Sequence, residues 1–431
     1  MSINNKQVKL GDVLVSLKTG LNPRSNFKLN TPGARNWYIT VRELNGTGVD
    51  FLPQTDRVDD EALMRINSRS NLEVGDVLFS ATGTIGKTAI VSQSPKNWNI
   101  KEGVYVLKPN KKLLDPYFLL CQLRYYSDIG VFNNQIGGST VFSVPMSLLL
   151  ETTFQLPSLD IQKQISTIVK NINHKIELNN KINAELEQMA KTLYDYWFVQ
   201  FDFPDANGKP YKSSGGAMVY NEELKREIPK DWNVASMSEL IELERGISYT
   251  SESIESGEGT PMINLGSISV DRSYRPEKLK FYLGKHATRH ESHPGELLIA
   301  CTDMTRNGDI IGCPIATPYT HQSFLFSMDL AKVKFVSESA LPSYLYFTLR
   351  TDWYHRYIKR FASGTNVQHL DIKGVYEYRE TIPPIELQQA FDNLFVPLNK
   401  VISNSLVENQ KLAELRDCLL PMLMNGQVTV K

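Results

Sequence analysis

The sequence LPSLDIQKQISTIVKNINHKIELNNKINAELEQMAKTLYDYWFVQFDF, residues 156–203, predicts a single long amphipathic helix. Its apolar side chains recur at steps of three and four residues, the spacing typical of the seam of a two-stranded coiled coil. Thirty-seven helical residues within this stretch would span about 55 Å, and such a helix cannot bury so narrow a stripe without a partner. The predicted seam consists of Ile161, Ile165, Ile168, Ile172, Ile182, Leu186, Met189, Leu193 and Tyr196, with the polar Lys175 and Asn179 in its middle.

The predicted partner helix lies later in the same chain. Shifted by 226 positions, the stretch aligns without a gap with IPPIELQQAFDNLFVPLNKVISNSLVENQKLAELRDCLLPMLMNGQV, residues 382–428. The same offset aligns residues 138–141 with 364–367 and Pro116 with Pro342, which indicates an internal duplication. The first helix leads from one globular half to the other, and the second helix begins at that other half. A compact pairing must therefore be antiparallel.

The duplication predicts the fold class and the domain organisation. We expect an α+β protein with two similar α/β domains in a pseudo-two-fold arrangement, separated by two long antiparallel α-helices that form a coiled coil. The predicted ranges are a first domain at 1–157, a central helix at 158–203, a connection at 204–227, a second domain at 228–382 and a C-terminal helix at 383–431.

The composition is that of a globular protein, and we expect a cytoplasmic one. The 431 residues are 41% hydrophobic and 22% charged, no apolar run reaches the length of a membrane span, and the N-terminus does not resemble a signal peptide. The cysteines lack paired spacing, and Cys121 and Cys418 lie in apolar helical runs, which favours buried thiols in a reducing compartment. The net charge of zero hides an asymmetry, because residues 1–157 carry 17 Lys and Arg against 13 Asp and Glu, while residues 228–382 carry 17 against 19. Any binding of DNA must use local clusters of charge, or charge from a partner.

Each half shows the same order of local patterns. In the first half we expect a short opening helix followed by a loop (residues 8–25), a strand (36–44), a hairpin that turns at residues 82–84 (75–91), a helix (115–130), a glycine-and-hydroxyl loop (137–145) and a last strand (148–157). In the second half we expect an opening helix (228–250), a longer hairpin (295–317), a helix (341–360) and a repeated loop (363–374). The hairpin tips differ more than the helices, which predicts one scaffold with two different surfaces.

Two local patterns suggest other chemistry. Residues 81–88, ATGTIGKT, come near the phosphate-binding G-x-x-x-x-G-K-[ST], but Ala81 takes the first glycine position and the next residues are strand-like, so a hairpin turn is the better account. His290, His293, Cys301 and Cys313 could in principle form a zinc site. No catalytic constellation and no Asn/Asp-Pro-Pro-aromatic tetrapeptide of amino-methyltransferases is found. These observations favour a binding protein over an enzyme.

Several motifs together resemble the specificity subunit of type I restriction-modification systems. They are LPSLDIQKQI and IPPIELQQAF before the two helices, TLYDYWFVQFDF after the first helix, IPKDWNVASMSELIELERG at the start of the second half, LLPMLMNGQV near the end, and the hairpins GDVLFSATGTIGK and GELLIACTDMTRNG. The resemblance covers nearly the whole chain. It implies two target recognition domains that each read one half of a bipartite DNA site. It also implies assembly with two modification subunits, which bind S-adenosylmethionine and methylate adenine, and with restriction subunits, which use ATP and Mg; the chain itself would carry no cofactor.

We expect DNA contacts from Lys, Arg, Ser, Thr and Asn side chains in glycine-rich loops, where donors meet a closely approaching backbone. The candidates in the first half are Lys18, Thr19, Arg24, Thr82, Thr84, Lys87, Ser139 and Thr140. The candidates in the second half are Arg245, Tyr249, Thr250, Asp303, Thr305, Arg306, Thr365, Asn366, Gln368 and His369. Two other functions stay open: a coiled-coil scaffold that joins proteins without binding DNA, and an enzyme with a nucleotide at the phosphate-loop-like turn.

Overall fold

The computed structural model describes residues 6–132, 143–255 and 257–428. The chain divides into a first unit, Met1–Glu177 with Lys411–Lys431, and a second unit, Leu178–Gln410. Helices and sheets occur in both units, so the predicted α+β class is confirmed.

The first unit contains two sheets, an extra strand pair and three short helices. Its strands are β1 Lys6–Lys9, β2 Leu14–Thr19, β3 Asn36–Ile39, β4 Arg57–Val58, β5 Val77–Ser80, β6 Thr88–Ile90, β7 Trp98–Ile100, β8 Val104–Pro109 and β9 Thr153–Leu156. Its short helices are α1 Asp60–Ser70, α2 Pro116–Asp128 and α3 Met146–Glu151, and the long helix α4 Leu159–Tyr194 begins in this unit. The strand orders are β2-β8-β5-β6 and β4-β3-β7, and β1 pairs with β9.

The second unit repeats this plan with additional strands. Its strands are β10 Met218–Asn221, β11 Arg226–Pro229, β12 Asn233–Ser236, β13 Ile241–Arg245, β14 Ile254–Glu255, β15 Thr260–Ile263, β16 Lys280–Tyr282, β17 Glu291–Ser292, β18 Leu297–Ala300, β19 Thr302–Asp303, β20 Pro314–Ala316, β21 Phe324–Phe326, β22 Leu330–Phe335, β23 Ala362–Ser363, β24 Gln368–Leu370 and β25 Arg379–Ile382. Its helices are α5 Met237–Leu240, α6 Pro342–Arg350, α7 Asp352–Ile358 and α8 Lys373–Glu377, and the second long helix α9 Ile385–Met424 begins here.

The two units share the strand order of their four-stranded sheets. The order β13-β22-β18-β20 in the second unit matches β2-β8-β5-β6 in the first, and the pair β12–β25 matches β1–β9. In both units one parallel pair, β3–β7 or β15–β21, stands among antiparallel neighbours. Strands β8 and β22 lie 226 positions apart in the sequence, which is also the offset between the two long helices. The duplicated sequence therefore folds into duplicated architecture.

The two long helices pair in opposite directions within each unit. In the first unit, Ile165 belongs to the same buried cluster as Leu420 and Leu423, and the Arg416 Nη1 donates to the Asn173 Oδ1 at 3.1 Å. In the second unit, the buried cluster that contains Tyr194 also contains the beginning of α9, including Phe391. The Asn179 Nδ2 donates to the Glu408 Oε2 at 2.7 Å and to the Asn409 Oδ1 at 2.9 Å. These polar pairs hold one register, because a shift along the helix would leave buried amides without partners.

The buried stripe of α4 differs from the predicted seam in its second half. Ile182, Met189 and Tyr196 are 38%, 61% and 38% exposed, and Lys175 is exposed as well. The buried residues there are Asn179, Asn183, Ala190 and Tyr194, followed by Trp197 and Phe198 in the turn after α4. The prediction assumed a coiled-coil repeat of 3.5 residues, whereas a straight helix repeats every 3.6 and drifts away from that seam. The helix therefore buries amides and small or aromatic residues, and leaves apolar side chains exposed.

A buried glutamine joins the start of α4 to the start of α2 in the first unit. Gln162 is fully buried, and its Oε1 accepts from the Asp115 backbone N–H at 2.8 Å. Its Nε2 donates to the carbonyls of Leu113 at 3.0 Å and Pro157 at 2.8 Å. One side chain thus fixes the start of α4 against the start of α2.

The second unit contains the same arrangement 226 positions later. The Gln388 Oε1 accepts from the Leu341 N–H, and its Nε2 donates to the carbonyls of Ser339 and Pro383, each at 2.8 Å. All three partners are the offset equivalents of those of Gln162. The duplication has therefore kept a three-bond junction as well as a fold.

Replacing this glutamine should destabilise the second unit. Gln388→Ala leaves one N–H and two carbonyls without partners in a buried site, and we expect the unfolding free energy in urea to fall by about 2–4 kcal/mol. The neighbouring Gln389 is exposed, so Gln389→Ala serves as the matched control and should change it by no more than about 0.5 kcal/mol. Equal effects of the two substitutions would contradict the assigned role.

Several local predictions are wrong in detail. Both opening helices reduce to one turn, Leu10–Val13 and α5, because the flanking residues join sheets as β1, β2, β12 and β13. The predicted last strand of the first half begins as helix α3 and becomes strand only at Thr153. The predicted helix at 341–360 breaks at Thr351 into α6 and α7, and the repeated loop at 363–374 contains the hairpin β23–β24. Both hairpins and the helix capped by Asp115 are confirmed.

The cysteines and the membrane-related features need only brief description. Cys121, Cys301 and Cys313 are buried, and burial raises the pKa of the Cys121 thiol to about 12. Cys418 is exposed, which corrects the expectation that it is buried. Within the described residues no helix is long and apolar enough to span a membrane, and no cluster of three metal-binding side chains occurs.

Candidate nucleic-acid interface

The first unit contains an open cleft of about 780 Å³ whose lining includes four basic and two acidic side chains. Arg42 follows β3 and Lys101 follows β7, and these two parallel neighbours place their following residues at one edge of the sheet. Arg24 and Arg69 line the same cleft, and so do Thr19, Thr82 and Ser143. We call this set of residues the first-unit cleft.

Asp56 and Glu102 also line the first-unit cleft, but its four basic side chains outnumber them, and most of these form no ion pair within the described residues. Arg24, Arg69 and Lys101 are exposed and form no ion pair among the residues that the structure describes. Arg42 is the exception, because its Nε donates to the Glu43 carboxylate at 3.0 Å. Exposed cations without local partners attract an anion, and a phosphate backbone is the anion that spans several of them.

The hydroxyl candidates of the first unit have different surroundings. Thr19 is buried and donates to the carbonyls of Glu102 and Val104, so it shapes the cleft wall. Thr82 forms an isolated β-bridge with Ser143, which brings the hairpin loop against the chain before α3. Ser139 and Thr140, two further candidates, lie outside the described residues.

The remaining candidates of the first unit lie near the hairpin loop or on β2. The Ser80 Oγ accepts from the Lys87 N–H at 2.8 Å and donates to the Thr84 carbonyl at 2.6 Å, which closes the loop. Thr84 and Lys87 are exposed but do not line the first-unit cleft. Lys18 precedes Thr19 on β2, and alternation along a strand turns its side chain to the opposite face.

In the second unit, a small three-stranded sheet gathers most of the candidates. Strand β19 pairs with β24, opposing Thr302 to His369 and Asp303 to Gln368, and β24 pairs with β23. These strand pairs place the tip of the hairpin β18–β20 next to the loop between β23 and β24. The candidates that the sheet brings together are Asp303, Thr305, Arg306, Thr365, Asn366, Gln368 and His369.

Asp303 has a structural task inside this surface. Its side chain is fully buried, and its carboxylate accepts from the N–H groups of Thr305 at 2.6 Å, Ile310 at 2.7 Å and Ile311 at 3.0 Å. We call residues 301–313 the second-unit loop. Three hydrogen bonds from backbone N–H groups hold the Asp303 carboxylate inside this loop, which corrects the expectation that Asp303 faces a ligand. Arg306 and Asn307 are exposed at the tip of that loop.

The other three candidates of the second unit lie after β13. Arg245 is exposed, and its Nη1 donates to the Met328 carbonyl at 3.2 Å. Tyr249 packs on an apolar cluster that includes Met262, and its hydroxyl accepts from the Lys280 Nζ at 2.7 Å. Thr250 bonds to Ser253 at 3.1 Å. The structure gives Tyr249 and Thr250 no contact with the second-unit loop among the described residues.

Sequence reasoning missed the cations Arg42, Arg69 and Lys101. They come from three separate segments, and only the parallel pairing of β3 with β7 brings two of them together. The one available signal was the position of Lys101 two residues before Gly103, where a backbone can approach closely.

Comparison with known proteins gives related specificity subunits. Residues 3–188 match the family described as type I restriction modification DNA specificity domain. The chain is 24% identical over 442 residues to the type I restriction enzyme MjaIX specificity subunit of Methanocaldococcus jannaschii, covering 96% of this chain and 91% of that protein. It is also 24% identical over 413 residues to the HindI specificity subunit of Haemophilus influenzae, covering 84% and 88%.

A solved structure shares the fold. The crystal structure of the type I restriction-modification system S subunit from M. genitalium superposes with a TM-score of 0.55 at 16% identity, covering 98% of this chain and 96% of that one. At this identity the likeness concerns the fold, and the function must be argued from the residues.

Proposed function

We propose that this chain, which belongs to the family of type I restriction-modification specificity subunits, gives such a system its DNA sequence specificity. One observation carries the proposal: each unit has a four-stranded sheet of the same strand order and holds a hairpin loop against another segment of the chain, but the residues of the two hairpin loops differ. Two similar frames with different loops suit two unequal half-sites.

Each unit is proposed to read one half of a bipartite DNA site. The first-unit cleft offers Arg24, Arg69 and Lys101 as donors without local partners, which suit phosphate contacts that fix position. The exposed Arg306 and Asn307 of the second unit offer the fork and amide geometries that read guanine and adenine edges. The long helices are proposed to set the gap between the half-sites, as spacing does in dimeric readers.

Chemistry is proposed to come from partner subunits. We infer that the chain is not catalytic and assembles with two modification subunits, which bind S-adenosylmethionine and methylate adenine, and with restriction subunits that use ATP and Mg. Exposed apolar side chains on the long helices support such an assembly. Leu178, Ile182 and Met189 lie on one face of α4, and Leu394 and Val401 lie on one face of α9; their exposed fractions run from 38% to 61%.

A charge on this apolar face should weaken assembly. We expect Met189→Glu to reduce co-purification of the modification subunit by at least about tenfold, because the new carboxylate would be buried in the interface without a partner. Gln188→Glu adds the same charge at the neighbouring exposed position and is the control, which should assemble normally. Normal assembly of both variants in a pull-down would place the partner surface elsewhere.

Loss of Arg306 should relax one half-site. If Arg306 reads a base, Arg306→Ala should weaken binding to the preferred site by about 1–3 kcal/mol and relax the sequence preference in the second half-site alone. Arg289→Ala removes an exposed arginine from another part of the second unit and should leave the preference unchanged. A uniform loss over all sequences with a shallower salt dependence would make Arg306 a phosphate contact instead.

Binding of duplex DNA separates the proposal from the scaffold alternative. The chain reconstituted with its modification subunit should retain duplex DNA in a gel-shift assay at physiological salt and lose it as salt rises. A complex that assembles fully but binds no duplex would support the scaffold. The nucleotide-binding alternative predicts loss of activity in Lys87→Ala, whereas the hairpin loop and strand β6 that follow Ser80 provide no helix N-terminus for a phosphate.

A further inference from the structure

The second-unit loop rests on helix α7 at two glycines. The His355 Nε2 lies 3.0 Å from the Gly308 carbonyl oxygen, and a Cβ at Gly312 would stand 2.9 Å from the Ile358 side chain. On its other side the loop approaches β24 so closely that a Cβ at Gly308 would lie 2.5 Å from the Gln368 Oε1. Residues 305–307 therefore extend from a loop that is held between α7 and β24.

A second side chain completes the support. The Arg272 Nε donates to the Asp309 carbonyl at 3.1 Å, and its Nη2 lies 2.9 Å from the His355 Nδ1. Arg272 has a φ of 67°, a left-handed conformation that is strained for a non-glycine residue. The Asp271 carboxylate closes the turn that contains it, accepting from the Ser273 N–H at 3.1 Å and from the Ser273 hydroxyl at 2.7 Å. This turn therefore directs the Arg272 guanidinium toward the second-unit loop.

These contacts determine the protonation of the imidazole. A guanidinium has only donors, so the His355 Nδ1 must accept from Arg272, and the Nε2 must carry the proton that is donated to Gly308. His355 is 8% exposed, and burial together with Arg272 lowers the pKa of the imidazole. The other charged groups around it are Asp309 on the loop, Asp352, which lies 3.7 Å from Arg272, and Lys359 at the end of α7.

We propose that His355 and Arg272 are positioning residues for DNA reading by the second unit: together they hold two consecutive carbonyls, those of Gly308 and Asp309, directly after the exposed tip 305–307. This inference rests on the proposed function, because it assumes that the tip reads the second half-site. It adds a specificity-determining pair that does not touch the DNA.

Among its described residues, the first unit has no such pair. The duplicated position of His355 is Ile129, and the first unit's hairpin loop, residues 81–87, is shorter than the thirteen-residue second-unit loop. The Ser80 hydroxyl closes the shorter loop, which also contacts Ser127 of α2 at Gly86 and Ser143 at Thr82. The first half-site therefore serves as an internal control for any change at His355.

The proposal predicts a pH dependence confined to one half-site. Protonation of the Nδ1 would set its N–H against the Arg272 donor, so the support requires the neutral imidazole. Since the folded pKa lies below the ordinary value of about 6.5, the support is complete above that value and is lost as the pH falls through the lowered folded pKa. Discrimination at the second half-site should fall in that range while discrimination at the first stays constant.

The test uses the full chain in complex with its modification subunit and compares single-base mismatches in each half-site. His355→Phe should reduce discrimination at the second half-site by about 10- to 100-fold and leave the first unchanged. His355→Gln keeps a donor toward Gly308 and an acceptor toward Arg272, so it should retain discrimination and lose the pH dependence. Arg272→Gln should reproduce the loss, and the double variant with His355→Phe should add little to it, because both act on one loop.

The outcomes separate this inference from the proposed function. If the wild-type complex discriminates at neither half-site, the proposed function fails. If the wild type reads both half-sites and the His355 and Arg272 variants read them equally well, or if the variants lose both together, the positioning role is wrong. Should His355→Phe fail to fold, Arg272→Gln and the pH profile of His355→Gln decide the matter.

Discussion

A seven-residue insertion in only one long helix is expected to abolish recognition of the bipartite site, whereas matched insertions in both should lengthen its gap. The insertions belong after Glu177 and after Gln410, where the two units meet along the chain. A matched pair preserves the bonds of Asn173 with Arg416 and of Asn179 with Glu408, because each bond lies within one unit. A single insertion forces one of these pairs out of register and leaves buried amides unsatisfied.

The matched insertion has a predicted size. Seven residues add about 10 Å of helix, and base pairs are spaced by about 3.4 Å. The added length alone therefore limits the increase in the gap to about three base pairs. Each added base pair also turns the half-site about the DNA axis, which favours a smaller increase. The gap between unchanged half-sites should grow by about one to three base pairs, measured by selection of bound duplexes with varied spacers. An unchanged gap would show that these helices do not set the spacing.

Exchange of residues 1–157 for the equivalent segment of a relative should change one half-site and leave the other intact. This segment carries the first-unit cleft, and the second unit has its own core and its own loops. A wrong base pair costs about 1–3 kcal/mol, so a half-site of several changed pairs should lower affinity for the old site by about 10³-fold or more. Affinity for the hybrid site should approach that of the parent for its own site.

The reciprocal exchange of residues 228–382 is the matched control for the first. It should alter the other half-site with an effect of similar size. Simultaneous change of both half-sites by either exchange would contradict independent reading by the two units. Loss of all binding in a chimera that still assembles would mean that the exchanged segment does not fold on the retained helices.

The long helices and the duplication could be predicted from the sequence because both rest on spacing. Apolar periodicity and a constant offset of 226 positions identified α4, α9 and their antiparallel order. The opening helices were wrong because the spacing in residues 8–19 also fits a strand, and pairing of β2 with β8 decided between the two. The exposure of Met189 was not predicted. The prediction assumed buried positions that repeat every 3.5 residues, whereas the buried stripe of these helices repeats every 3.6 residues.

The candidate interface was predictable only where one segment carried it. The tip with Thr305 and Arg306 followed from a hairpin pattern, and the sheet β19-β24-β23 placed it beside Thr365 and Asn366. The basic cleft of the first unit and the support of the second-unit loop by Arg272 and His355 both arise from segments distant in the sequence. No local pattern predicts such pairs, because tertiary packing brings them together.

The most direct test of the central claim is a map of methylated adenines in DNA exposed to the chain in complex with its modification subunit. The account predicts that every methylated adenine falls within one asymmetric site made of two short specified blocks separated by a constant unspecified gap. Methylation at a single uninterrupted sequence, or at adenines that share no sequence, would contradict reading by two different units.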